Sequence, residues 1–303
     1  MRRLIMRLRL VWFIVFLAGF ARASDFLVKQ PGEIKSKQLK EISGMAFSGQ
    51  NGSCLWVIND SGSKPEVHAL TWQGKRIGSL FVNGVKNRDW EDLALFELDE
   101  YPFLAIGEIG DNRSVYPFYQ IIFIAEPHLS VFDNSEKSAV TPYHILTFMY
   151  EDGPRDCESM AVDEKNQTIY LLSKRTIPPV LYQLPLDLTT DSLIVARRVT
   201  TVTTIPKPTL EDLGEDPKQG RYCAQPTSMD INQNQLVVLT YKRVFIYEKE
   251  NSRNCGEALN QLPLVFQFPH LKQAESVCIS PVDGSIWITS EGKKAPILQI
   301  YKP

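Results

Sequence analysis

Short apolar runs rich in β-branched and aromatic residues recur along the whole chain, and clusters of Gly, Pro, Asn and Asp separate them. No stretch sustains a helical period, so the pattern predicts strands throughout. One phrase repeats among them: EISGMAFS (Glu41–Ser48), WEDLALFE (Trp90–Glu97), CESMAVDE (Cys157–Glu164), PTSMDINQ (Pro226–Gln233) and AESVCISP (Ala274–Pro281). Each copy has a polar pair, then a small or apolar residue, then alternating apolar positions. Each is followed by a second β-rich run: Leu55–Asp60, Phe103–Asn112, Ile169–Arg175, Leu236–Arg243 and Ile286–Gly292. Third runs follow at Val67–Trp72, Tyr119–Pro127, Val180–Leu186, Val244–Glu250 and Ile297–Pro303. Fourth runs follow at Arg76–Val82, Tyr143–Tyr150, Ile194–Val202 and Leu264–His270.

Repetition at a period of roughly 40–70 residues points to a propeller or a solenoid. Units of four strands, here A to D, favour the propeller. The fold class expected is all-β, a β-propeller of five four-stranded blades, with six as the alternative because Thr203–Tyr222 has room for irregular strands. The last group lacks its fourth strand. Phe26–Gln30 precedes the first phrase and belongs to no other blade, so an N-terminal strand is expected to complete the last blade and close the ring.

The first residues stand apart from this pattern. Arg2, Arg3, Arg7 and Arg9 precede an apolar stretch, Leu10–Phe20, too short to span a bilayer comfortably, and Ala21-Arg22-Ala23 suits a small-residue cleavage site. Residues 1–23 therefore read as a secretory signal peptide and 24–303 as one propeller domain, exported to the periplasm or beyond. Cleavage would leave 28 basic against 35 acidic residues, a net charge of −7. An acidic chain without a basic run argues against nucleic acid as a partner, and no second apolar segment reaches membrane-spanning length. Five cysteines, an odd number, leave at least one unpaired. The four histidines are scattered and offer none of them a base.

The repeat also predicts where chemistry collects. If strand A runs inward from one face and strand B returns to it, the A starts and B ends share one mouth. The A starts supply Glu91, Asp92, Glu158, Ser159, Thr227, Ser228, Glu275 and Ser276, with Glu41 and Ser43 from the first copy. The B ends supply Asn59, Asp60, Glu108, Asp111, Asn112, Lys174, Arg175, Lys242, Arg243 and Glu291, and entering loops add Arg88, Asp89, Arg155 and Asp156. Carboxylates converging from several blades need a cation, a proton or Lys/Arg partners. Glu91, Glu158 and Glu275, with Asp111 and Asn112 of the Gly-Asp-Asn turn, are the candidate metal ligands, an oxygen set suited to Ca2+. The same three glutamates are the candidate acid–base residues. Lys174, Arg175, Lys242, Arg243, Asp60 and Glu291 are the candidate ligand-binding residues, acidic on one side of the mouth and basic on the other. Trp56, Trp72, Trp90 and Trp287 read as blade packing.

The phrases RDWEDLAL, AIGEIGDN, DCESMAVD and SIWITSEG, in this order, resemble a group of secreted bacterial propellers whose function is largely unassigned. Glu108 stands where that pattern carries Asp. More loosely, Ser43-Gly44-Met45 followed by a strand ending in Asn59-Asp60 is similar to calcium-dependent apyrases and esterase-like phytase propellers. That likeness implies a Ca2+ site and phosphoester chemistry. The chain has no GxSxG, Walker or HExxH motif. Two main readings stay open: a propeller whose charged mouth binds an anionic small molecule or an envelope protein through Ca2+, and a Ca2+-dependent hydrolase of an anionic ester. A glycosidase is a third, weaker fit.

Overall fold

The computed structural model describes residues 26–50, 52–215, 220–249 and 254–303; the segment read as a signal peptide lies outside the described residues. The strands sort into antiparallel groups of four, numbered here as blades 1 to 5 in chain order. Blade 1 holds β2 (Ile42–Phe47), β3 (Leu55–Asn59), β4 (Glu66–Leu70) and β5 (Arg76–Val82). Blade 2 holds β6 (Trp90–Leu98), β7 (Tyr101–Glu108), β8 (Tyr119–Ala125) and β10 (His144–Tyr150). Blade 3 holds β11 (Cys157–Asp163), β12 (Thr168–Ser173), β13 (Val180–Pro185) and β14 (Ile194–Thr201). Blade 4 holds β15 (Pro226–Ile231), β16 (Gln235–Thr240), β17 (Arg243–Glu248) and β18 (Leu264–Gln267). Blade 5 holds β19 (Ala274–Ile279), β20 (Ile286–Ser290), β21 (Ala295–Tyr301) and, on its outer edge, β1 (Leu27–Ile34), which pairs antiparallel with β21.

Each innermost strand packs on the next: β2 on β6, β6 on β11, β11 on β15, β15 on β19, and β19 back on β2. The apolar core is divided in the same way, with one cluster in each seam between neighbouring blades. Trp56, Leu80 and Leu104 fill the seam of blades 1 and 2; Phe96, Phe148, Tyr182 and Leu171 fill that of blades 2 and 3. Tyr170, Phe245 and Tyr247 fill the next, Val237, Val277 and Ile288 the one after. Met45, Phe47, Val57 and Trp287 close the ring between blades 5 and 1. Because each sheet is covered on both faces, its middle strands are apolar without alternation: β3 reads Leu-Trp-Val-Ile-Asn, every residue buried. Trp56, Trp90 and Trp287 are buried in this packing, and Trp72 is partly exposed.

Two outer-edge features have no counterpart in the repeat. β9 (Lys137–Val140) adds to blade 1 as a fifth strand, parallel to β5, and Phe132 caps the same edge by lying on Gly78. β10 also pairs parallel with β14, which joins blades 2 and 3 into one continuous sheet. Both devices cover strand edges that would otherwise present unpaired backbone groups. Within Thr203–Tyr222 the described residues form a short helix, α1 (Leu210–Glu215), and a tight turn, and no strand.

The innermost strands approach so closely that the axis tolerates only particular residues. A side chain on Gly44 would come within 2.6 Å of Leu93 N. At the matching position of β6 stands Asp92, fully buried, and it binds three blades together. Its carboxylate accepts from Met160 N (2.8 Å), Met229 N (3.1 Å), Leu93 N (3.0 Å) and Ser228 Oγ (3.0 Å). Ser228 Oγ in turn accepts from Val277 N (3.1 Å) on blade 5. Asp92, grouped by the repeat with the mouth acids, is therefore a structural post at the axis. Replacing it with Ala leaves four buried donors without an acceptor, each costing about 1–3 kcal/mol. Asp92→Ala is expected to lower the stability measured by denaturant unfolding by at least ~3 kcal/mol; a loss under ~1 kcal/mol would contradict the role assigned to it.

Candidate functional site

Every innermost strand carries a β-bulge at its first turn. The register slips between Ile42 and Gly44, Trp90 and Asp92, Cys157 and Ser159, Pro226 and Ser228, and Ala274 and Ser276. The skipped residues are Ser43, Glu91, Glu158, Thr227 and Glu275. A bulge leaves one residue out of the ladder and re-aims its side chain. Here it releases the equivalent residue of each repeat. Two of them are short and satisfy the neighbouring blade: Ser43 Oγ donates to Trp90 O (2.7 Å) and Thr227 Oγ1 to Ala274 O (2.7 Å). The other three are the glutamates.

The residues just past each B strand form a second ring: Asp60, Ile109, Lys174, Tyr241 and Glu291. The two rings mesh. In blade 3 the ammonium of Lys174 pairs with Glu158, lies 3.9 Å from Glu275 Oε1 and donates to Tyr241 Oη (3.2 Å). Tyr241 Oη donates to Glu275 Oε1 (2.9 Å). Glu158 and Glu275, far apart in sequence, thus meet through one buried cation. Burial alone would make Lys174 less basic, but the Glu158 and Glu275 carboxylates outweigh it and hold the amine charged. Arg175 reaches Asp156 Oδ2 (2.6 Å) and Asn112, with Glu158 Oε1 at 3.8 Å, from a backbone in the left-handed region (φ 62°).

A second group lies beside this network. Asp60, Asp89 and Glu91 each bring a carboxylate oxygen within 4.8 Å of the others. Gly110 makes the room: a Cβ there would fall on Glu91 Oε1 and within 2.6 Å of Asp89 Oδ2. Its value is the missing side chain, not a special turn. Asn59, next to Asp60, carries a buried amide oxygen without a hydrogen-bond partner. The trio is short of positive charge. Burial, with Asp60 and Asp156 nearby, pushes Asp89 up to about 7. Burial, Glu158 and Asp60 push Glu91 well above the carboxylate range. Burial and the facing Glu275 push Glu291 up to about 9.

The remaining candidates fall elsewhere. Asp111 is spent on its own loop: Oδ2 accepts from Val115 N, Tyr116 N (both 2.7 Å) and Tyr119 Oη (2.8 Å). Asn112 is engaged by Arg175. The cation-sized cluster at this mouth holds Asp60 and Asp89 with Glu91, in place of Asp111 and Asn112. Glu108 faces Arg88 Nε at 3.5 Å. Lys242 and Arg243 turn onto Asp212 of α1, at 3.0 and 3.6 Å, and not into the charged centre. The hydrogen bonds from Thr209 N–H and Lys242 hold Asp212 down to about 2, against its burial. The basic half expected from that pair is therefore used to pin α1. Tyr241 was not among the candidates; its place directly after strand B, equivalent to Lys174, is the signal that marks it. Cys54, Cys157, Cys255 and Cys278 are buried free thiols far from a thiolate's environment, burial pushing Cys54 up to about 12.

The ring of blades and the site at its mouth define a β-propeller. Among solved structures the fold is similar to Myxococcus xanthus glutaminyl cyclase, at 9% identity over 91% of this chain and 96% of that one, with a TM-score of 0.52. A gluconolactonase of Xanthomonas campestris (10% identity, 93% and 92% of the two chains, TM-score 0.48) and the soluble aldose sugar dehydrogenase of Escherichia coli (10%, 92% and 100%, 0.46) resemble it less closely. At such identities the likeness concerns the fold alone. The sequence matches no protein-family model and no curated protein. Among the described residues no helix is long and apolar enough to cross a membrane.

The raised carboxylates set a pH dependence. Their contribution to stability is complete below the ordinary values of 3.8 for Asp89 and 4.5 for Glu291, and is lost as pH rises through about 7 and about 9. In metal-free buffer the melting temperature should fall between about pH 5 and pH 9.5. A scanning-fluorimetry series across that range checks this, and a flat or rising profile would count against the crowding of these acids.

Proposed function

We propose that this is an exported propeller whose acidic mouth binds Ca2+ and uses it to hold a ligand or an envelope partner. The carrying observation is the Asp60–Asp89–Glu91 trio, a hard-oxygen set in the room left by Gly110. The residues present fit such an ion better than a thiophilic one, since the cluster contains no Cys or His. Bound there, Ca2+ would supply the positive charge that the trio lacks and a point of attachment for an anionic group. Lys174 cannot fill that role, because Glu158, Glu275 and Tyr241 already occupy it. The resemblance of the motifs to secreted bacterial propellers supports export and a site at this mouth.

A Ca2+-dependent hydrolase of an anionic ester is the second reading, favoured by the position of Glu158. Its carboxylate is buried beside the trio and held by Lys174 and Arg175, where it could take a proton from a water. In this reading Lys174 keeps Glu158 oriented and Tyr241 keeps Lys174 from swinging away.

Thermal melting with Ca2+ and with EGTA tests the first reading. At a free Ca2+ concentration about 100 times Kd, the gain is ~2.7 kcal/mol, or a rise of about 4–5 °C for a domain of this size. Glu91→Gln should raise the metal-free melting temperature at about pH 8, by removing a crowded carboxylate, and abolish the response to Ca2+. No response of the wild type at millimolar Ca2+ would remove the metal from the account. For the second reading, Glu158→Gln is compared with wild type on a panel of phosphoesters; turnover unaffected by the change would exclude Glu158.

A further inference from the structure

The rim of the mouth at the seam of blades 5 and 1 holds an open depression of about 450 Å³ lined by Lys40, Lys272, Lys293 and His270 together with Glu41 and Glu291. The three lysines come from three loops, and the loops are stitched to one another. Gly292 N donates to Lys40 O (2.7 Å) and Glu291 N to Gln273 O (3.1 Å). Leu39 and Leu271, each one residue before a lysine, are buried and anchor their loops. The cavity adjoins the trio: Asp60 N donates to Glu41 O (2.7 Å), and Glu291 interacts with both Glu275 and Asp60. Unlike Lys174, Arg175, Lys242 and Arg243, none of these lysines pairs with a carboxylate among the described residues. Three exposed lysines that line one depression and form no ion pair offer positive charge to a multiply charged anion.

We propose that this cavity is the anion-binding half of the mouth, and that Lys40, Lys272 and Lys293 hold the phosphate group of a ligand that also meets the cation at Asp60, Asp89 and Glu91. The second of these contacts rests on the Ca2+ reading; the first stands on the lysines alone. The mouth is then lopsided, with its basic side on blades 5 and 1 and not on blade 4.

The test is calorimetric titration of the mature protein with inorganic phosphate, with and without Ca2+, and separately with Ca2+ alone. The variant K40A/K272A/K293A is compared with K75A/K137A/K207A, which removes three exposed lysines elsewhere. Phosphate affinity is expected to fall at least tenfold in the first variant and less than twofold in the second, while the Ca2+ affinity of both stays within twofold of wild type. Ca2+ should also tighten phosphate binding in the wild type, and phosphate should tighten Ca2+ binding by the same factor. Absence of phosphate binding in the wild type, or equal loss in the two variants, overturns the proposal even if Ca2+ binds. Loss of phosphate binding in K40A/K272A/K293A alone, in a protein that binds no Ca2+, leaves the lysine site standing and removes the Ca2+ reading with the shared ligand.

Discussion

The backbone of the innermost strands meets at the axis with almost no space between them, and one carboxylate makes that meeting tolerable. Asp92 takes backbone N–H groups from blades 2, 3 and 4 and the hydroxyl of Ser228, which relays to blade 5. A buried carboxylate without donors would be costly. With four donors it becomes a junction that no apolar residue could replace, since each N–H would otherwise be orphaned. The mouth above depends on this layer, because the bulges that release Glu91, Glu158 and Glu275 lie one residue before it in each strand.

The mouth is therefore built from backbone geometry first and charge second. Burial keeps water from screening the acids, so each unpaired carboxylate raises the proton affinity of its neighbours. Lys174 relieves one side, where Glu158 and Glu275 share it. Lys174 also acts on Glu91, but burial and the neighbouring acids outweigh it, and its ion pairs are to Glu158 and Glu275, not to Asp60, Asp89 or Glu91. That imbalance separates a structural ion-pair network from a group of oxygens open to an external cation, within a single ring of repeats.

Much of this was legible in the repeated phrase. Its spacing located the inner strands, and the equivalence of Glu91, Glu158 and Glu275 followed from its alignment. Periodicity could not show that Lys242 and Arg243 turn away, because their partner Asp212 lies in a segment outside the repeat. Nor could it separate Asp92 from Glu91. They are neighbours in sequence, yet the bulge sends one to the mouth and the other to the axis. Asp111 is a similar case: as a turn residue it reads as a ligand, but its oxygen is consumed by Val115, Tyr116 and Tyr119 within the same loop.

By itself the sequence determined an all-β propeller and the face on which its polar residues gather, because both follow from local periodicity and from the order of strands within each unit. Tertiary structure alone decided which of those residues face each other. Pairing between blades depends on the ring's closure and on bulges of a single residue, and Asp60, Asp89 and Glu91 come together only when blades 1 and 2 are packed. The charge each group carries was decided there too, since burial and distance, not residue type, set it.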